Sequence, residues 1–398
     1  MTIDDVDLHE QQTLVRVDFN VPLREEQGRY IVVDDTRIRA ALPTIEKIVR
    51  ERGKAILLSH LGRPKGPDPR YSLAPVAEHL KGLTDAPVTF VPATRGPEVE
   101  RAVRDAAWGS IILLENTRFE PGETKNDPEL ARDWARLGRI FVNDAFGSSH
   151  RAHASTVGIA RFVDVAVMGY LVKREVEFLT RAMEAPERPF VGILGGAKVS
   201  DKLGVIQALL SRVDRLLIGG AMAYTFLKAL GYRVGNSLVE DDLLDTALEL
   251  YEKAQGKIRL PTDHVAVREL KADAPRIIAV KNIPDGYIGV DIGPQTIEHF
   301  REDIAASKTV LWNGPMGVFE IPAFARGTFA IAHALAGVTE KGALTVVGGG
   351  DSVAALVESG CADKVSHVST GGGAMLEFIE GIVEGRLLPG IEVLTDKK

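Results

Sequence analysis

Short apolar runs alternate with longer amphipathic stretches from one end of the chain to the other, and this alternation constrains the fold more than any other feature. A short run bounded by turn residues suits a strand buried on both faces. A stretch of helical length between two such runs suits the crossover that parallel strands require. The runs at 14–17, 55–58, 88–90, 111–114 and 140–142 predict strands of a parallel sheet in the first half. Those at 191–194, 215–218, 265–267, 309–312, 344–347 and 367–368 predict another in the second half. At 398 residues the chain exceeds one core, since single cores stop growing near ~250–300 residues. An α/β protein of two domains is expected.

The division is expected between 169 and 189. Val172, Val176, Leu179 and Met183 form a narrow helical stripe, and Pro186-Glu187-Arg188-Pro189 then stops the helix. A helix ending in a proline-bracketed turn suits a connection between domains, or equally a plain surface helix. The net charge is -7, so any anion site must be built locally. Cys361 is the single cysteine, which rules out an internal disulfide and fits a reducing compartment. The acidic start Met1-Thr2-Ile3-Asp4-Asp5-Val6 does not read as a signal peptide. The apolar region 162–172 is too short to span a bilayer and carries Asp164. The expectation is a cytoplasmic protein.

Polar clusters follow the predicted strands, where open parallel sheets bind ligands. In the first half they contain arginine, histidine and asparagine: Arg63 after Ser59-His60, Arg118 after Glu115-Asn116, Arg151 between His150 and His153. Arg37 joins them from the start of a helical stretch. A guanidinium fork matches a fixed phosphate or carboxylate. In the second half the clusters are glycine-rich: Gly195-Gly196, Gly219-Gly220, Asn313-Gly314, Gly348-Gly349-Gly350-Asp351-Ser352 and Gly371-Gly372-Gly373. Glycine lets backbone N–H groups approach an anion, and Asp351 suits a Mg²⁺ ion carried by a nucleotide. Lys198 and Lys202 follow Gly195-Gly196-Ala197 four residues apart. That spacing predicts one helical face at the positive end of a helix, which a bound phosphate would make tolerable. An ordinary glycine turn with two solvated lysines is the alternative. The chain lacks the Walker, G-x-G-x-x-G and G-x-S-x-G motifs, which counts against a P-loop NTPase, a dinucleotide dehydrogenase and an α/β-hydrolase.

Taken together, these blocks resemble the phosphoglycerate kinase family along nearly the whole chain. Among them are Val15-Arg16-Val17-Asp18-Phe19-Asn20, Leu114-Glu115-Asn116-Thr117-Arg118-Phe119, Leu194-Gly195-Gly196-Ala197-Lys198 and Trp312-Asn313-Gly314-Pro315-Met316-Gly317. The resemblance implies two Rossmann-like parallel-sheet domains joined by an interdomain helix and hinge. They would be a phosphoglycerate-binding domain of 1–170 with 387–398, a helix and hinge of 171–188, and a nucleotide-binding domain of 189–386. It also implies that Asp18, Asn20, Arg37, His60, Arg63, Arg118 and Arg151 hold phosphoglycerate. Lys202, Gly289, Glu320, Gly349, Gly350, Asp351 and Ser352 would hold the nucleotide, with Asp351 on Mg²⁺. Arg37, Lys198 and the helix start at Gly371, Gly372 and Gly373 would stabilise the phosphoryl group in transfer. Small departures are Ala221 where glycine is common, Met375 where serine is frequent, and Ser352 for a frequent threonine.

The implied reaction is reversible phosphoryl transfer between 1,3-bisphosphoglycerate and ADP. The acceptor carboxylate is ionised at neutral pH, so no general base is expected. The implied partners are these small molecules alone, with no nucleic acid or membrane, and the implied state is a monomer. A nicotinamide dehydrogenase and a non-enzymatic sensor of nucleotide or sugar phosphate are the rival readings.

Overall fold

Buried runs become the central strands. Val88–Val91, Ile111–Leu114, Lys54–Leu58, Gln12–Arg16, Ile140–Asn143 and Val165–Met168 lie side by side in that order, every neighbouring pair parallel. The first strand in sequence thus sits inside the sheet, and the chain winds outward from it in both directions. In the computed structural model, which describes residues 1–395, this sheet belongs to one compact unit, Met1–Glu177 with Leu387–Lys398. The second unit is Phe178–Arg386. Its six-stranded sheet runs Ile258–Arg259, Arg215–Ile218, Phe190–Leu194, Thr309–Asn313, Leu344–Gly348, His367–Val368, again all parallel.

Apolar residues fill both faces of the first sheet. Val15, Leu57, Ile111 and Val142 pack on one side, Leu14, Ile56, Ile112 and Phe141 on the other. Alternate residues of one strand therefore serve two cores, as the period of two demands. The C-terminal helix Pro389–Thr395 belongs to this unit. Asn143 Nδ2 donates to Gly390 O at 2.7 Å, Gly390 N donates to Ser149 O at 2.8 Å, and Val393 and Leu394 enter the second core. Residues 396–398 of the expected 387–398 segment lie outside the described residues.

One strand expectation needs correction. The run at 265–267 lies in Asp263–Val267, the middle of a separate antiparallel sheet between Arg276–Val280 and Ile288–Ile292. A short apolar run carries no record of its partner's direction. Val165–Met168 and Ile258–Arg259, both unforeseen, are outer strands of the parallel sheets. The first lies inside 162–172, and the second is too short to show a period. The predicted stripe forms the helix Tyr170–Glu184, with Val172, Leu179 and Met183 fully buried.

That helix starts on a buried carboxylate. Asp144 Oδ1 accepts from Leu171 N at 2.9 Å and Val172 N at 3.4 Å, answering two amides that the first turn leaves open. Burial pushes the Asp144 carboxyl up to about 7, against hydrogen bonds from Thr44, Leu171 and Val172 that pull it down. Its folded pKa is therefore above the unfolded value of about 3.9. The folded chain keeps a proton that the unfolded chain releases, so this group's contribution is full below about pH 4 and is lost as pH rises towards 7. Asp144→Asn, which carries no titrating proton, should gain stability relative to the parent between pH 5 and pH 8, by on the order of 2–3 kcal/mol. Urea unfolding at the two pH values checks this; a constant difference would remove the assignment.

Candidate functional site

In the first unit the predicted residues gather beyond the carboxyl ends of adjacent strands. The loops after Gln12–Arg16, Lys54–Leu58 and Ile111–Leu114 are tied to one another. Phe19 N donates to Ser59 Oγ and Gly62 N to Asn20 Oδ1, each at 2.8 Å. Asn116 accepts from Leu61 N at 3.2 Å and donates to Leu61 O at 2.8 Å. The backbone carrying Asp18, Asn20, His60, Arg63 and Arg118 is thereby fixed by its own side chains.

Arg63, Arg118 and Arg151 line one cavity of about 550 Å³, together with Lys65 and His153. Arg118 donates to Gly62 O, while its buried Nε has no partner in the structure. Burial brings its pKa down to about 10, and the charges of Arg151 and Arg16 add to the effect. A guanidinium this close to its own kind, with a buried N–H unanswered, is matched by an oxyanion. Arg37 stands apart from the cavity lining, half exposed, with Nη1 3.1 Å from Asp18 Oδ1 and 3.3 Å from Asn20 O. Arg151 Nε donates to His150 Nε2 at 3.1 Å, so that histidine serves the arginine as an acceptor there.

His60 is nearly fully buried, and its Nδ1 lies 3.0 Å from Arg16 Nη2. Burial, followed by the charges of Arg16, Arg118, Arg37 and Arg151, holds its imidazole well below the ordinary value. His153, lowered to about 4 chiefly by burial, is likewise neutral. Sequence reasoning assigned no role to Arg16, Ser155 or Glu123. The available signal was a lone arginine in the otherwise apolar run Leu14-Val15-Arg16-Val17.

In the second unit three of the loop glycines turn their amides into the protein. Gly195 N donates to Asn313 O, Gly196 N to Pro315 O and Gly220 N to Met316 O, all at 3.0 Å. These amides join loops to loops and are not directed at a ligand. A Cβ on Gly195 would lie 2.0 Å from Pro315 O, which forbids any side chain there. The first-turn amides of Gly350–Glu358 and Gly373–Glu384 lie outside those helices' own bonding, as at any helix start. Gly371, Gly372 and Gly373 form this second start, and a Cβ on Gly372 or Gly373 would meet open space.

Lys198 and Lys202 do not share a helical face. The chain passes through the short turn Ser200–Lys202, and the helix proper is Leu203–Leu210. Lys202 folds back to donate to Gly195 O at 2.6 Å and Asn313 Oδ1 at 2.7 Å. Burial lowers its pKa to about 8, partly opposed by Asp351 and Asp201. Lys198 is exposed. The anion answering the amides beside it is internal: Glu240 accepts from Val199 N at 2.6 Å and Ser200 N at 3.1 Å. That carboxylate lies too far along the chain for local spacing to find it.

Gly289, Glu320 and Asp351 line a second cavity of about 200 Å³ with Gly196, Ala221 and Tyr224. A Cβ on Gly289 would come within 2.0 Å of the Tyr224 hydroxyl, so the closeness of strand and ring depends on glycine. Ser352 is fully buried, its Oγ accepting from Gly314 N, which ties the helix start to the Asn313-Gly314 loop. Gly349 precedes that helix with φ +94°, and Gly350 begins it.

The phosphoglycerate kinase family model matches residues 3–382. The chain belongs to the phosphoglycerate kinase family. A phosphoglycerate kinase of Salinibacter ruber is 57% identical over 398 residues, covering 100% of this chain and 99% of the relative. That of Thermosipho africanus is 53% identical, covering 100% and 98%. Among solved structures, the phosphoglycerate kinase of Coxiella burnetii superposes with a TM-score of 0.87 at 40% identity, covering 100% and 98%. That of Pyrococcus horikoshii gives 0.85 at 30% identity, covering both chains fully.

The unanswered Arg118 Nε and the crowding of cations around it predict an oxyanion site that simple ions can report. Sulfate at ten times its dissociation constant should stabilise the protein by about 1.4 kcal/mol, seen as a raised Tm. Arg118→Ala should lose most of that rise. An equal rise in both proteins would place the anion elsewhere.

Proposed function

We propose that the chain catalyses reversible transfer of a phosphoryl group between 1,3-bisphosphoglycerate and ADP, giving 3-phosphoglycerate and ATP. The observation that carries this reading is the gathering of Arg63, Arg118 and Arg151 around one cavity, with Arg37 and neutral His60 nearby, in a chain of this family. Asp18 and Asn20 orient Arg37 through the 3.1 and 3.3 Å contacts already described, and the arginine forks hold the phosphate and carboxylate of the phosphoglycerate.

The nucleotide belongs to the cavity of Gly289, Glu320 and Asp351, with Gly349 and Gly350 supplying amides at a helix start. Buried Ser352 supports this loop, and Lys202 fixes its floor through Gly195 and Asn313. Asp351 is an exposed hard carboxylate on the cavity wall, which fits a magnesium ion arriving with the phosphates better than an all-protein cage. Such an ion, when bound, neutralises phosphate charge.

The attacking group is a carboxylate and needs no base, in keeping with neutral His60 and His153. Catalysis then rests on position and charge: Arg37, Lys198 and the amides at Gly371, Gly372 and Gly373 stabilise the equatorial oxygens of the moving group. Hinge closure that brings the two substrates in line and excludes water is part of the same proposal. So is a cytoplasmic monomer acting on small molecules alone. Among the described residues, no helix is long and apolar enough to cross a membrane.

A coupled assay with 3-phosphoglycerate and MgATP tests the activity; absence of turnover alongside tight nucleotide binding would favour a sensor. Arg37→Ala and Lys198→Ala should each lower kcat by on the order of 10²-fold or more with little change in KM. Rates close to the parent for both would remove their role. Arg63→Ala should instead raise KM for 3-phosphoglycerate, and a selective rise in KM for ATP would reverse the assignment of the two cavities.

A further inference from the structure

Behind the arginine-lined cavity runs a chain of hydrogen bonds in which the position of every proton follows from the chemistry of the groups. Glu123 is fully buried, and its carboxylate accepts from Ser155 N at 3.0 Å and from the Ser155 hydroxyl. With its one proton committed to Glu123, Ser155 Oγ can only accept from Arg16 Nε, 2.8 Å away. Arg16 is 1% exposed and also donates to Val17 O, so its guanidinium cannot turn. Its remaining arm, Nη2, ends 3.0 Å from His60 Nδ1.

A guanidinium has donors and no acceptor, so a ring nitrogen at that distance must be bare. We infer that Arg16 is a positioning residue that fixes the tautomer of His60, leaving Nδ1 as acceptor and Nε2–H as the donor available to the bound phosphoglycerate. The inference rests on the placing of His60 in that site. The charged groups around the ring are Arg16, Arg118, Arg37 and Arg151, all of which oppose a second proton on it. Glu123 and Asp18 offset the charge of Arg16 itself. The arrangement gives the site a donor that adds no further cation to a crowded set. It also explains why an arginine occupies a buried strand position, where an apolar residue would otherwise be expected.

Nitrogen-15 NMR of the full-length protein labelled in its nine histidines gives the direct test. His60 is assigned by its loss in His60→Gln. In the parent, His60 should show a bare Nδ1 and protonated Nε2 throughout pH 5 to 8. Arg16→Met should release the ring to mixed tautomers, bring its titration towards the ordinary value of about 6.5, and raise KM for 3-phosphoglycerate about tenfold with a smaller effect on kcat. Arg16→Lys, which restores a donor, should recover part of both effects. A protonated Nδ1 in the parent, or an unchanged His60 spectrum in Arg16→Met, would overturn the inference. If Arg16→Met does not fold, the parent spectrum and Ser155→Ala, which frees one anchor of Arg16, still decide it. The bare-Nδ1 form in the free protein, combined with no response of His60 to added 3-phosphoglycerate, would sustain the tautomer and discard the site reading alone.

Discussion

Parallel pairing is the constraint on which the rest of this structure depends. When six strands run the same way, every strand ends at the same edge and every return path must cross the sheet as a helix or long loop. Both edges of such a sheet differ chemically, because only one carries the strand ends and helix beginnings. Each unit uses that edge for its polar groups, and each sheet is buried on both faces by apolar side chains.

The two edges are built by opposite means. The first concentrates guanidinium groups and limits their repulsion by keeping His60 and His153 neutral and by placing Glu123 behind them. The second directs the amides of Gly195, Gly196 and Gly220 to Asn313, Pro315 and Met316 oxygens, and Gly195 packs against Pro315 at a distance no side chain would permit. Lys202 is part of that lattice, a half-buried cation whose donors are taken up by Gly195 and Asn313 oxygens. Its lowered pKa reflects desolvation, whereas its neighbour Lys198 is exposed.

Much of the fold was legible because buried strands joined by helices leave a pattern of short apolar runs separated by amphipathic stretches. The strands Ile111–Leu114 and Arg215–Ile218 match the expected runs at both ends. Asp263–Val267 was recognised as a strand and assigned the wrong sheet, since pattern alone carries neither direction nor partner. The site was legible as residue types at strand ends, and the arginines at 63, 118 and 151 do line one cavity. The helical pairing of Lys198 with Lys202 failed because spacing assumes regular helix, and the chain there makes the short turn Ser200–Lys202 before the helix begins at Leu203.

By itself, then, the sequence determined the layered α/β architecture, the edge at which polar groups collect and the family to which the chain belongs, since all three rest on local pattern and on residue identity. Tertiary structure alone decided which carbonyls the Gly195, Gly196 and Gly220 amides meet, which lysine folds back onto Gly195 and Asn313, and that Glu123, Ser155, Arg16 and His60 form one line of donors and acceptors. Those outcomes depend on distances between groups remote in the chain, and hydrogen-bond chemistry acts on distance and direction that no linear pattern records.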